Sequence, residues 1–195
     1  MTLPLTRTQA LELLEKHNPK SNTQDWNHFL ESEAIMKALA QKLNQDQDYW
    51  AMLGLLHDID WGITKNNTQE HLTKASEILE QAGFNQEFIE TIISHGYGFD
   101  CANLKDLQRT KPIEHALAAA ETLTGLIHAY ALMRGKKISD MQVKGLKKKF
   151  KDKTFAANCN REIIKEIENL SITLDEFFQL SIEAIKNIKS LVDLE

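Results

Sequence analysis

The sequence contains few of the residues that interrupt helices or cross-link a fold. Its 195 residues include 3 prolines, 8 glycines and 2 cysteines. The two cysteines, Cys101 and Cys159, form neither a disulfide framework nor a CxxC metal knuckle, and we interpret both as free thiols in a reducing cytoplasm. Because breaks are rare and apolar residues recur at spacings of three and four, we expect a mostly helical chain.

The chain also lacks a membrane-spanning apolar run and a basic surface. No apolar run approaches the roughly 20 residues that span a bilayer, and residues 1–10 do not have the pattern of a secretion signal. The formal net charge of -5 argues against general binding to nucleic acid. We therefore expect a cytoplasmic protein with neither a membrane nor a nucleic-acid polymer as partner, and the sequence leaves its oligomeric state open.

The remaining composition is that of a globular domain, with 42% hydrophobic and 26% charged residues. Apolar periodicity predicts helices over residues 8–17, 26–43, 48–57, 69–81, 85–94 and 112–133. We expect Asp25 and Thr68 to cap two of them. Capping-box patterns at Ser139 and Thr173 predict helices that begin near residues 140 and 174. Without a repeat or a clear linker, residues 1–195 are expected to form one all-α domain.

An apolar stretch at residues 53–56 ends in an adjacent histidine and aspartate, His57 and Asp58. Burying an imidazole beside a carboxylate is costly unless a partner neutralises them, and a metal ion is a natural partner. Polar residues occupy other positions where the helical pattern expects apolar ones. These further candidates are His28, His71, His95 and Glu121.

Each candidate alone has an ordinary explanation, because a single histidine at a helix end is usually a capping or core group. Six together, four imidazoles and two carboxylates, suit a mixed nitrogen and oxygen site for iron, manganese, zinc or a similar divalent ion. The set is large enough for two ions, with Asp58 able to bridge them. A dinuclear centre of this kind can activate water and clamp a phosphoryl group.

The order of these residues resembles that found in the HD-domain superfamily of metal-dependent phosphohydrolases. The resemblance rests on residues 54–60 around the His57–Asp58 doublet, on His71 ahead of residues 75–79, and on residues 92–95. Later segments, at residues 123–127, 143–157 and 160–162, are similar to those of one subgroup of predicted HD hydrolases. The resemblance covers about residues 26 to 188.

The resemblance implies an HD-type helical bundle, with a core at about 26–133 and a C-terminal helical extension at about 139–190. It implies one metal held by His28, His57, Asp58 and Glu121, and a second held by His71 and His95 with Asp58 bridging. One or two divalent ions are expected (iron, manganese, zinc, nickel or cobalt, with magnesium possible). A metal-activated water would attack a nucleotide or another small phosphate ester. Glu121 departs from the aspartate usual in the family.

Several residues keep two interpretations. Besides Asp58 as a catalytic group, Asp60 is expected either to accept a proton or orient a ligand histidine, or to cap the next turn. Six lysines lie between residues 144 and 153, and Lys148, Lys151 and Arg161 are candidate substrate-binding residues, although such a run is more often a solvated helix face. Glu114 and His128 share the face of Glu121, so this face either lines the pocket or lies on the helix surface, and we expect the surface for both.

Two other functions compete with a phosphohydrolase. Similar histidine and aspartate sets in HD-fold oxygenases hold a di-iron centre that activates oxygen. A nucleotide-sensing module that has lost catalysis is a third hypothesis, because Glu121 replaces the usual aspartate. Oxygen uptake would identify the oxygenase, and binding without turnover would identify the sensor.

Overall fold

The computed structural model describes residues 2–195 and shows an all-α fold, with no strand among these residues. The α-helices are α1 (Arg7–His17), α2 (Thr23–Lys42), α3 (Gln47–Leu56), α4 (Trp61–Thr64), α5 (Ala75–Gln81), α6 (Gln86–Ile93), α7 (Pro112–Met133), α8 (Val143–Lys151), α9 (Arg161–Lys165) and α10 (Leu174–Asn187). Short 3-10 segments lie at Thr68–Glu70, Ser94–Gly96, Glu166–Leu170 and Lys189–Leu191. The all-α prediction is confirmed.

Helix α2 lies at the centre of the bundle and packs against α3, α7 and α10. Its contact with α3 depends on Gly54, because a Cβ there would lie 2.5 Å from the backbone oxygen of Ser32. A side chain at this position would push the two helices apart. The close approach brings the carboxyl end of α3 beside the first turns of α2.

Helix α7 begins and ends at the predicted residues, with Pro112 in its first turn. Residues 116–120 are fully buried, and four of these five residues are alanine, so neighbouring helices can approach closely. Helix α7 is long and apolar enough to cross a bilayer, but 61% of its most apolar 18-residue stretch is buried inside the protein. We therefore describe it as a core helix.

The C-terminal helices belong to the same core as the rest of the chain. Helix α10 packs on α2, while α9 and the 166–170 segment pack on α7. One cluster of buried apolar side chains runs from Ala10 to Leu194. Glu195 is also held against the fold, because its carbonyl oxygen accepts hydrogen bonds from the backbone N–H groups of Ile138 and Ser139.

Several predicted helix ends differ from the structure. Asn22, not Asp25, caps α2, because its side chain accepts a hydrogen bond from the Asp25 amide at 3.4 Å. The helix predicted over 69–81 begins only at residue 75, since the chain turns at Leu72 with φ of 71°. The helix predicted from residue 140 starts at 143. The capping box at Thr173 is confirmed. Helices α4 and α9 were not predicted.

Candidate metal centre

Four separate elements bring the candidate histidines together. His28 lies in the second turn of α2, and His57 directly follows α3. His71 follows the 3-10 segment at 68–70, and His95 lies in the one at 94–96. His71 was expected in the first turn of a helix, but it occupies the turn before α5. His57 is fully buried and His95 is 6% exposed, so the cluster lies inside the protein.

All four imidazoles point their Nε2 atoms at the carboxylate of Asp58. The Oδ1 atom lies 3.2 Å from Nε2 of His71 and 3.2 Å from Nε2 of His95. The Oδ2 atom lies 3.5 Å from Nε2 of His57 and 3.7 Å from Nε2 of His28. Two compact groups result, His28–His57–Asp58 and Asp58–His71–His95, and in each the ligand atoms lie within 4.8 Å of one another.

Hydrogen bonds on the opposite ring nitrogen fix the orientation of these imidazoles. Nδ1–H of His57 donates to the carbonyl of Gly54 at 2.8 Å, and Nδ1–H of His95 donates to that of Ile92 at 2.7 Å. Since a carbonyl only accepts, each Nδ1 must carry the proton. The Nε2 lone pairs of these two histidines are therefore free for a metal ion.

The other two histidines are held in the same way by side chains. Nδ1–H of His71 donates to Oδ1 of Asp60 at 3.2 Å. Nδ1 of His28 lies 2.7 Å from the hydroxyl of Thr124, which itself donates to the carbonyl of Glu121 at 2.7 Å. Because that hydroxyl has one proton, it accepts from His28. All four rings thus present Nε2 to the centre, the arrangement that second contacts impose on metal-binding histidines.

The spacing of the Nε2 atoms fits a cation. Those of His28 and His57 are 2.9 Å apart, and those of His71 and His95 are 3.3 Å apart. Ligands on one ion with bonds of about 2.1 Å are separated by about 3.0 to 3.4 Å at octahedral or tetrahedral angles. The facing Nε2 lone pairs of His28 and His57, 2.9 Å apart, repel each other unless a positive charge lies between or beside them.

The electrostatics of the two groups differ. Burial lowers the pKa of His57 to about 3 and also lowers the pKa of His28, so both rings are neutral. Burial alone would lower the pKa of His71, but its hydrogen bonds to Asp58 and Asp60 raise it to about 10. Burial would raise the pKa of Asp58, yet the imidazoles around it, His57 foremost, hold it well below its usual value.

The carboxylate of Asp60 acts through His71. It is fully buried, accepts from Nδ1–H of His71, and accepts from the backbone amide of Lys74 at 3.1 Å. Its side chain makes no capping hydrogen bond to α4. Of the two interpretations of Asp60, the structure supports orientation of a ligand histidine, and the enclosed carboxylate is not placed to touch a substrate.

Glu121 belongs to neither compact group among the described residues. One carboxylate oxygen accepts from the hydroxyl of Thr122 at 2.5 Å. Burial raises the pKa of Glu121 to about 7, and His95 and Asp58 also influence it, so the carboxylate lies within the electrostatic range of the centre. Its role as a ligand therefore stays a prediction.

A cleft of about 460 Å³ opens onto the first group of ligands. His28 and Asp58 lie in its wall together with residues from the first turns of α2 and the second half of α7. Trp61 borders the cleft and packs edge-on against the ring of His71, with centroids 5.2 Å apart. A cleft of this size accommodates a small organic substrate beside the candidate metal ligands.

The predicted substrate-binding residues do not line this cleft. Lys148 and Lys151 are exposed at the end of α8. Every N–H of the Arg161 guanidinium is directed to backbone carbonyls of residues 149–159, including those of Ala156 at 2.7 Å and Cys159 at 2.5 Å. The prediction that Arg161 binds substrate phosphates is therefore corrected, because this side chain holds the loop between α8 and α9 in place.

The expected surface positions of Glu114 and His128 are also wrong. Glu114 is 5% exposed and accepts from the amides of Thr110 and Lys111 at the start of α7. His128 lines the cleft. Helical spacing placed both residues on the face of Glu121, but it could not decide between the pocket and the surface for that face.

Sequence reasoning also missed an ion cluster that supports His95. Arg109 pairs with Glu166 through two hydrogen bonds of 2.6 Å. It also donates to the carbonyls of Ser94, His95 and Tyr97. The cluster thereby ties the segment that carries His95 to the C-terminal part of the fold. Arg109 and Glu166 are 57 positions apart, and no local pattern links them.

Comparison with known families agrees with the geometry. A family model described as HD domain matches residues 25–124, about half of the chain. The matched region contains all six residues expected to hold metal. No curated protein and no solved structure matches the chain.

Proposed function

The chain belongs to the HD domain family, and from that membership we propose that it is a metal-dependent phosphohydrolase acting on a nucleotide or another small phosphate ester. The observation that supports this most is the convergence of four Nε2 atoms on the single carboxylate of Asp58, at 3.2 to 3.7 Å. Both groups share this residue, as expected for a bridging ligand between two ions.

In this proposal His28, His57 and Asp58 hold one divalent transition-metal ion, and Asp58, His71 and His95 hold a second. Glu121 is proposed as a further ligand of the first ion. When bound, such ions polarise a phosphoryl oxygen and lower the pKa of water toward neutrality. The identity of the metal is open among iron, manganese, zinc, nickel, cobalt and magnesium.

The protein's own groups would orient the reaction. The carbonyls of Gly54 and Ile92 and the side chains of Asp60 and Thr124 fix the imidazole rings, so little reorganisation is needed on binding. The cleft beside His28 then provides one side from which a phosphate ester can reach Asp58. We propose both the small phosphate-ester substrate and a cytoplasmic location as part of this function.

The test is to load the purified chain with each metal and screen phosphate esters and nucleotides for release of inorganic phosphate. We expect turnover in the wild type, and in His57→Ala we expect loss of activity and of at least one of the two ions. As a matched control, His17→Ala removes an imidazole that belongs to neither metal group, and it should keep both properties.

Two other results would refute the proposal and identify the competing functions. Nucleotide binding without phosphate release, at full metal content, would indicate a sensing module. Oxygen uptake by the iron-loaded protein, with an iron-dependent absorption spectrum, would indicate an oxygenase.

A further inference from the structure

Helices α2 and α7 are joined by two polar contacts, one helical turn apart. The first is the contact between His28 and the Thr124 hydroxyl, at 2.7 Å. The second joins Glu31 to Nδ1 of His128, also at 2.7 Å. Glu31 follows His28 by three residues and His128 follows Thr124 by four, so the second contact lies about 4.5 to 6 Å along the helices from the first. His128 therefore lies one turn from an imidazole that faces the candidate metal centre.

The second contact leaves one nitrogen of His128 available to a ligand. The Glu31 side chain is 1% exposed, and that of His128 is 18% exposed. Nδ1–H of His128 donates to the buried carboxylate, and this hydrogen bond raises the pKa of His128. Its Nε2 has no hydrogen-bond partner among residues 2–195. A buried ion pair contributes little net stability, so stability alone gives a weak reason for its presence.

Both contacts border the cleft that reaches Asp58. The cleft wall also carries the amide side chains of Asn27 and Asn158 and the carboxylate of Asp25. Within the described part of the chain, no lysine or arginine lines it. The wall beyond the metal ligands is therefore polar, and the one basic side chain that the structure describes there besides the metal ligands, His128, is already paired with the Glu31 carboxylate rather than free for a second phosphate group.

We propose that the Glu31–His128 pair is a specificity subsite that binds a hydroxyl group on the leaving alcohol of a phosphate monoester. This inference rests on the proposed function, since the phosphate would lie at the metal centre. The pair is neutral overall when His128 is protonated and Glu31 is ionised, which suits a hydroxyl group better than a second phosphate. A sugar phosphate and a ribonucleoside monophosphate share this chemistry.

The test compares two five-carbon ligands on the metal-loaded, full-length protein by calorimetry. Ribose 5-phosphate carries hydroxyl groups, and pentyl phosphate carries none. We expect the wild type to bind ribose 5-phosphate more tightly than pentyl phosphate. His128→Phe should weaken binding of ribose 5-phosphate by about 10-fold to 100-fold and leave that of pentyl phosphate within about twofold. Adenosine 5′-monophosphate tests whether the nucleotide, rather than the sugar phosphate, is preferred.

Two further variants keep the test decisive. Glu31→Leu combined with His128→Phe removes the buried carboxylate that the single change leaves unpaired, and it should show the same loss of selectivity if the single variant does not fold. His115→Phe is the matched control. His115 is on the same helix, its Nδ1 lies 2.7 Å from Glu166, and its side chain is 15% exposed, but it does not line the cleft. It should leave both affinities unchanged.

The outcomes separate this inference from the proposed function. The subsite would be overturned if His128→Phe weakened binding of both ligands equally or of neither. It would also be overturned if His115→Phe had the same effect, or if the wild type did not prefer ribose 5-phosphate. Phosphate release with an unchanged preference in His128→Phe would refute the subsite and leave the phosphohydrolase standing. Selective binding that depends on His128, without any phosphate release, would support the subsite and refute the phosphohydrolase.

Discussion

Replacing Asp60 with asparagine should weaken the second metal position while leaving the fold in place. The carboxylate accepts two hydrogen bonds, one from Nδ1–H of His71 at 3.2 Å and one from the amide of Lys74 at 3.1 Å. Asparagine has the same shape but offers one acceptor oxygen and one donor group. It therefore satisfies only one of the two donors.

Each way of placing the new amide has a cost. If the amide NH₂ faces His71, the ring must move its proton from Nδ1 to Nε2, and Nε2 then has no lone pair for a metal ion. If it faces Lys74, a buried backbone N–H loses its acceptor, at a cost of about 1 to 3 kcal/mol. The negative charge that supports His71 disappears in both cases. Loss of such a supporting carboxylate typically weakens metal affinity by about 10-fold to 100-fold.

The assay is a competition titration of the wild type and Asp60→Asn with a chromophoric chelator, together with the melting temperature. We expect one of two metal-binding steps to weaken by about 10-fold to 100-fold and the other to change little. Asp152→Asn is the control, because Asp152 also accepts a backbone amide, that of Thr154 at 3.0 Å, but on an exposed turn. Unchanged affinity at both steps in Asp60→Asn would refute the orientation argument.

Three other predictions concern the surroundings of the centre. If Glu121 is a ligand, Glu121→Asp should keep or raise metal affinity and Glu121→Ala should lower the metal content by elemental analysis; an unchanged content in the alanine variant would refute that role. Burial would raise the pKa of Glu166, but hydrogen bonds, first among them the one from Arg109, hold this pKa below its ordinary value of 4.5. The stability that the ionised Glu166 contributes is therefore present above pH 4.5 and is lost as the pH falls further. Thermal melts should therefore show Glu166→Gln less stable than the wild type at pH 7, with a smaller loss below pH 4.5, and parallel curves would contradict this. Because Lys148 and Lys151 do not line the cleft, changing both to alanine should leave the KM for a phosphate substrate within about twofold of the wild-type value. A large rise in KM would show that these lysines do bind substrate.

The centre of the site was predictable because its signal is local. An apolar helix that ends in His57 and Asp58 places two ligand types together in a buried position, and the structure shows that both are at the meeting point of the candidate ligands. Helical periodicity also indicated His28, His71 and His95 as polar residues at apolar positions, and the family resemblance implied how they divide between two metals. Their convergence could not follow from helical periodicity, which says nothing about how separate helices pack.

The predictions that were wrong depend on tertiary contacts or on single turns. His71 was assigned to a helix because apolar periodicity predicts one over residues 69–81, whereas the chain turns at Leu72 with φ of 71°. Arg161 was assigned to substrate because the lysine-rich segment and residues 160–162 resemble those of the HD subgroup, yet the backbone carbonyls of the adjacent loop accept its hydrogen bonds. His128 was placed on the surface because a polar residue on a helix is usually exposed. The sequence does not indicate that Glu31, 97 positions away, packs opposite it.

Metal stoichiometry in Asp58→Ala, measured beside His57→Ala, tests the central claim most directly. Asp58 contacts both groups of histidines, whereas His57 belongs to one. We predict about two ions per chain in the wild type, with at most one retained in His57→Ala and almost none in Asp58→Ala. Full metal content in Asp58→Ala would contradict the account, because no single carboxylate could then be the link between two metal positions.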